Sequence, residues 1–140
     1  MDYEQYKLKE YKYWAVYLNV NQYFLGRVYI WSKRKGLVDL MDLSEKEQKE
    51  LFEICKQVKQ ALTELFRPDL FNWASLGNIS SQCHLHVIPR YEKPRLFNLE
   101  VFVDERWGKN YAPYNYDFKI SEETLLKIRD AVKEKLKAIK

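Results

Sequence analysis

Apolar residues recur every three or four positions over two stretches of the chain. The first holds Leu51, Cys55, Val58, Leu62 and Leu65, the second Leu125, Ile128, Val132, Leu136 and Ile139. That period places each set on one face of a helix. The first helix is predicted to begin at Ser44, because Ser44-Glu45-Lys46-Glu47 reads as a capping box. In it the hydroxyl and the carboxylate satisfy each other's free backbone amides. Pro68 stops that helix soon after Phe66, and the second starts at Ser121 with Glu122 and Glu123 at its positive end. Strand-forming residues dominate from Tyr13 to Asn19, from Tyr23 to Ser32 after an Asn21-Gln22 turn, from Leu70 to Leu76, and from Gln82 to Ile88, where Pro89 ends the run. Arg27 interrupts the second run and requires a partner if buried, and Lys33-Arg34-Lys35-Gly36 reads as a solvated turn. Leu99 to Val103 is a short strand by the same criterion, Trp107 to Phe118 an aromatic loop, and residues 1–12 carry no clear pattern. The order strand, strand, helix, strand, strand, tail predicts an α+β fold. We expect an antiparallel sheet of about five strands, with one long helix packed on it and a C-terminal helix. No repeat, linker or low-complexity tract divides the chain, so residues 1–140 read as a single domain.

Composition narrows the function. Apolar residues make up 46% of the 140 positions and charged residues 31%, which excludes disorder and collagen-like structure. The four glycines form neither Gly-x-Gly-x-x-Gly nor Gly-x-x-x-x-Gly-Lys, so phosphate binding through those motifs is out. Net charge is +4 and the pI is about 8.9, with basic and acidic residues interspersed. A nucleic-acid binder concentrates its positive charge on one face, so nucleic acid is not an expected partner; the mild excess suits a small anion such as a nucleotide. Tyr3, Tyr6, Tyr11, Tyr13, Trp14 and Tyr17 crowd the N-terminus. Such rings stack bases in single-strand binders, but core and interface packing is the simpler reading. The longest apolar stretch, Trp14 to Leu18, is far too short to span a bilayer, and Met1-Asp2-Tyr3-Glu4 lacks the start of a signal peptide. A cytosolic protein with no membrane partner is expected. Cys55 and Cys83 form no Cys-x-x-Cys pair, which argues against structural zinc, and Cys55 on the helical stripe reads as a buried, inert thiol.

Chemistry concentrates in Gln82-Cys83-His84-Leu85-His86-Val87-Ile88-Pro89-Arg90. Alternation along a strand sends Cys83, Leu85 and Val87 one way and Gln82, His84 and His86 the other, with roughly 7 Å between successive Cα atoms of the polar row. Two neighbouring imidazoles on an open sheet face can share one phosphate, one attacking while the other hydrogen-bonds an oxygen. His-x-His is also a metal-ligand spacing, but the chain has no third histidine and a metal would have to recruit Asp or Glu. A Cys83–His84 dyad fails because adjacent residues face opposite sides. A pair of exposed surface histidines is the remaining reading.

The stretch Gln82-x-His84-x-His86-Val87-Ile88-Pro89-Arg90 resembles the signature of the histidine-triad superfamily, His-x-His-x-His followed by apolar residues. Asn21-Gln22-Tyr23-Phe24-Leu25-Gly26-Arg27 resembles that family's first hairpin, Asp42-Leu43-Ser44 the lead-in to its long helix, and Leu76-Gly77-Asn78 the turn before the triad strand. The run from Val103 to Pro113 is similar to the tail of a prokaryotic branch described as diadenosine-polyphosphate hydrolases. The resemblance implies a nucleotide hydrolase or transferase acting at the α-phosphate, and a homodimer. It implies His84 as the nucleophile that forms a covalent nucleotidyl-histidine, and His86 as the residue that hydrogen-bonds the phosphate. Asn78 matches a residue that holds substrate phosphates, and Asn21 one near the nucleoside. No protein-bound metal or other cofactor is implied, although Mg²⁺ can accompany a polyphosphate substrate. Gln82 departs from the pattern: it can donate and accept hydrogen bonds but cannot titrate. Arg27 stands where relatives often carry another supporting histidine, which pairs the two departures by hypothesis. A nucleotide-binding protein with little catalysis and a nucleotidyl transferase or phosphorylase are the alternatives. The aromatic excess supports the homodimer, and the long helix from Ser44 is a candidate contact, because Ile54, Ala61 and Phe66 widen its apolar face beyond one stripe.

Overall fold

Seven strands and two helices arise from these patterns in the computed structural model, which describes residues 1–140. They are β1 (Lys7–Glu10), β2 (Trp14–Leu18), β3 (Val28–Ser32), α1 (Glu45–Phe66), β4 (Leu70–Ala74), β5 (His84–Arg90), β6 (Arg95–Phe97), β7 (Glu100–Phe102) and α2 (Glu122–Ala138). Five strands form one antiparallel sheet in the order β1-β2-β3-β5-β4, and β6-β7 is a separate hairpin. The fold is α+β, as expected. β1, from the stretch without pattern, is an edge strand, preceded by a single 3-10 turn over Tyr3–Tyr6. No helix is long and apolar enough to cross a membrane.

Both helices pack on one face of the sheet. Trp14, Val16, Leu18, Val28, Ile30 and Val87 meet Leu51, Ile54, Val58 and Leu62 of α1 and Ile128, Val132 and Leu136 of α2 in a single buried core. Ile54, Ala61 and Phe66 belong to that core, with Ile54 and Ala61 wholly covered by the chain itself. The expectation that they form a dimer contact is therefore overturned. Cys55 and Leu65, expected on the core stripe, flank it half-buried. Ser44 and Glu47 close the capping box at 3.2 and 2.8 Å. Arg34 joins it, its Nη2 and Nε donating to the Glu47 carboxylate at 3.0 Å, so the Lys33–Gly36 turn, exposed to solvent as expected, also clamps the start of α1.

Four boundaries differ from expectation by two residues or more. β3 starts at Val28 rather than Tyr23, because the buried Gln22 side chain holds residues 19–27 in a closed loop. Its amide donates to the Asn19 and Arg27 carbonyls at 2.6 and 2.9 Å and its oxygen accepts from Gly26 N at 2.7 Å. Gly26 adopts φ +88°, and a Cβ there would sit 2.9 Å from the Phe66 ring. β4 ends at Ala74, two residues short of Leu76. β5 starts at His84, two residues after Gln82, and runs through Pro89 to Arg90. The Arg90 carbonyl accepts from Asp69 N on the β4 side, so Pro89 turns its backbone the other way, past the end of β3 at Val28, where no N–H is needed. The strand expected over Leu99–Val103 is β7, paired with the unforeseen β6 through a two-residue turn whose Asn98 and Leu99 both have positive φ.

Candidate active site

The sheet register assembles the site. β5 lies between β3 and β4, which sets His84 opposite Trp31, and His86 opposite Tyr29 on one side and Ala74 on the other. Cross-strand neighbours on one sheet face touch. Trp31 stacks on His84 with centroids 5.2 Å apart, and Tyr17 stacks on Tyr29 at 5.4 Å. The two imidazoles lie 4.9 Å apart at 83°. His84 is only 9% exposed, so this face is a walled cleft, neither the open face expected nor a pair of surface histidines. The cleft holds about 590 Å³, with Tyr3, Glu4, Tyr17, Leu18, Asn19, Val20, Tyr29, Trp31 and Ser80 around the two histidines. His84 also borders a second hollow of about 280 Å³, formed by Val38, Asp39, Leu40, Ser75, Leu76, Gly77 and Cys83. A larger hollow of about 750 Å³ between β4 and residues 107–111 contains neither histidine.

The hydrogen bonds give the two rings opposite tautomers. His84 Nδ1 lies 2.7 Å from the backbone carbonyl of Gln82. A carbonyl oxygen only accepts, so Nδ1 carries a proton, and in the neutral ring the Nε2 lone pair is free. His86 Nδ1 lies 3.3 Å from Arg27 Nη2. A guanidinium only donates, so here Nδ1 is the acceptor and a neutral His86 carries its proton on Nε2. Burial above all, then the charge of Arg27 and the neighbouring His84, push the His86 pKa down to about 4, so the ring is neutral at pH 7. One imidazole thus offers a nucleophilic nitrogen and the next an N–H donor.

The remaining expected residues lie apart from this pair. The Gln82 amide is spent on the β3–α1 connection, donating to the Ser32 and Arg34 carbonyls at 3.0 and 2.8 Å and accepting from Gly36 N at 3.3 Å. In this conformation its backbone carbonyl, rather than its side chain, serves His84. Asn78 is exposed in the turn after β4. Asn21 donates to the Asn115 and Tyr116 carbonyls at 3.1 and 3.2 Å and so fastens the C-terminal tail; Asn19 is the asparagine on the cleft wall. Arg27, buried to 4% exposure, touches His86 and does not reach Gln82, so the hypothesised pairing of the two departures has no contact behind it. Tyr17, Tyr29 and Trp31 were legible as the alternate positions of their strands, but their role required the register. No group of three His, Cys, Asp or Glu side chains converges, so no carboxylate stands ready to complete a His-x-His metal site.

Known proteins share the fold and a sequence profile with this chain. The HIT-domain profile matches residues 10–93. The fold is similar to crystal structures of histidine triad proteins from Marinobacter aquaeolei (TM-score 0.79, 23% identity, covering 96% of this chain and 90% of that one) and Bradyrhizobium japonicum (0.76, 19%, 95% and 92%). It is also similar to a hypothetical histidine triad nucleotide-binding protein from Sulfolobus tokodaii (0.69, 16%, 94% and 83%). No match was found among curated protein sequences. With the family profile covering more than half of its residues, including both histidines and strands β2 to β5, the chain belongs to the HIT-domain family.

Proposed function

We infer that the protein is a nucleotide hydrolase that attacks the α-phosphate of a dinucleoside polyphosphate or similar nucleotide conjugate and releases a nucleoside monophosphate. HIT-domain proteins are nucleotide-binding hydrolases and transferases. The observation that carries the reading here is the bond from His84 Nδ1 to the Gln82 carbonyl, which leaves Nε2 as a free, oriented lone pair. That lone pair forms an N–P bond with the α-phosphorus while the bond to the leaving group breaks, its electron pair going to the departing atom. Water then attacks phosphorus, the N–P bond breaks and the nucleoside monophosphate departs. His86, through its Nε2–H, donates to a non-bridging oxygen as charge gathers there. The aromatic cleft suits the nucleoside and the smaller hollow beyond His84 suits the leaving group. Asn19 on the cleft wall offers a polar contact to the nucleoside, Asn78 in the exposed turn after β4 is assigned to the substrate phosphates by the family resemblance alone, and Asn21 acts indirectly through the tail.

Rapid mixing with a dinucleoside polyphosphate, a quench into alkaline denaturant and mass spectrometry should find a nucleotidyl group on His84. His84→Ala should lower turnover by about three orders of magnitude or more, about 4 kcal/mol in the barrier. An adduct elsewhere would overturn the assignment. Gln82→His tests the alternative of a nucleotide-binding protein with little catalysis: we expect less than about a tenfold change in rate. A gain of several orders would mean that the missing histidine had silenced the site. Adding inorganic phosphate separates hydrolase from phosphorylase by the product formed.

The same reading includes a homodimer. With the α1 face buried, we assign the contact to the outer edge of β4, where Leu70 and Trp73 are exposed. Light scattering at micromolar concentration checks it, and a monomer there rules it out.

A further inference from the structure

Arg27 is 4% exposed, yet its Nε and Nη1 have no hydrogen-bond partner. Its Nη2 meets only His86 Nδ1. No carboxylate hydrogen-bonds any of its three nitrogens, and the rings of Tyr111 and Tyr114 lie 5.6 and 5.2 Å from the guanidinium carbon. A buried guanidinium stays protonated, and leaving one without a counter-charge is costly. The aromatic faces recover a part of that cost. The rest is unexplained by the fold, because Asp104, the buried carboxylate of this region, is paired with Arg90.

We propose that Arg27 is a positioning residue for phosphate chemistry: its guanidinium holds the His86 proton on Nε2, and its uncompensated charge is balanced only when an anionic group enters the cleft. The inference rests on the reading of His84 and His86 as the phosphate-handling pair. A guanidinium cannot accept a hydrogen bond, so no rotation of Arg27 allows His86 to carry its proton on Nδ1 and keep the contact. A neutral or titrating residue at position 27 would lose one or both effects. The groups that face His86 are Arg27 from the loop before β3, His84 on its own strand and Tyr29 from β3; Ala74 faces it from β4, and Tyr111 and Tyr114 stand behind Arg27. No carboxylate contributes to its titration. The low pKa of His86 agrees with this arrangement and keeps the ring a donor well below neutral pH.

Two substitutions separate the roles. Arg27→Gln keeps an N–H for His86 Nδ1 but removes the charge, and Arg27→Met removes both. Nitrogen-15 NMR of the imidazole should find His86 as the Nε2–H tautomer in the wild type and in Arg27→Gln, and as a mixture in Arg27→Met. The titration of His86 should move upward in both variants. AMP is the anionic probe and adenosine its uncharged control. By calorimetry, both variants should lose about tenfold or more in affinity for AMP and less than about twofold for adenosine. Arg27→Lys, which retains the charge, should keep most of the preference for AMP. Equal losses for AMP and adenosine, or an unchanged His86 tautomer and titration in Arg27→Met, would reduce Arg27 to a packing residue and overturn the proposal. A wild type that binds AMP no better than adenosine would overturn the phosphate-site reading and the charge half of the proposal together. The imidazole spectra distinguish that failure from a failure of Arg27 itself.

Discussion

Arg27 and Arg90 are both buried arginines on strands or loops that frame the same sheet, yet their surroundings are opposite. Arg90 has all of its nitrogens engaged. Nε and Nη2 donate to Asp104 at 2.7 and 3.2 Å, Nη1 to Asn72 and the Lys109 carbonyl at 2.9 and 3.0 Å, and Nη2 also to the Arg106 carbonyl at 2.7 Å. Arg27 has one contact of 3.3 Å and two nitrogens with none. A buried charge with a full set of partners anchors the chain around it. One without them costs stability and marks a place where the fold serves something other than itself. Arg90 fastens the tail, and Arg27 stands behind the site.

The sharpest break of this comparison is at Arg90. Arg90→Met leaves the Asp104 carboxylate buried and unpaired, and should cost about 3–5 kcal/mol in urea unfolding. It should also release the tail from Arg106 to Lys109, seen as faster proteolysis there. Stability close to that of the wild type would mean that the pair is not the anchor described.

The next effect is a pH dependence centred on the other arginine. The folded state takes up a proton at His86 only near pH 4, whereas the unfolded imidazole does so near 6.5. Between those values the unfolded chain binds more protons. The stability present above pH 6.5 is therefore lost as pH falls toward 4, by about 2 kcal/mol once solvent reaching the half-buried ring is allowed for. Unfolding midpoints measured across that window check it. In Arg27→Met the loss should shrink, because burial persists but the repelling charge is gone.

The smallest effect sharpens the contrast most. At pH 7, Arg27→Met should change unfolding free energy by about 1 kcal/mol or less in either direction, since losing the aromatic and His86 contacts is offset by removing an uncompensated buried charge. A cost matching that of Arg90→Met would place both arginines in the same structural role.

Much of the frame was legible from local signals. The Ser44 capping box, the Ser121 start of α2 and the apolar periods fixed on one helix face each involve residues within a turn or two of one another. The row of His84 and His86 followed from alternation alone. The extent of β3 was not legible, because Gln22 shortens it through bonds to Asn19, Gly26 and Arg27. Nor was β6, since Arg95-Leu96-Phe97 is too short to carry a period and exists as a strand only against β7. Ile54, Ala61 and Phe66 widened the apolar face of α1 in sequence, and it took the neighbouring elements to cover them.

The sequence by itself determined the fold class, the two helices, the histidine strand and the family to which that strand points. These follow from hydrophobic period and from interactions between near neighbours, which a linear chain displays directly. Only the tertiary structure decided what the histidines can do. His84 is oriented by a carbonyl two residues away, but His86 takes its opposite tautomer from Arg27, fifty-nine positions distant, and both are walled by Tyr29 and Trp31 across the β3–β5 register. A proton's place on an imidazole depends on which partner lies against each nitrogen, and that is a property of packed strands that no local pattern contains.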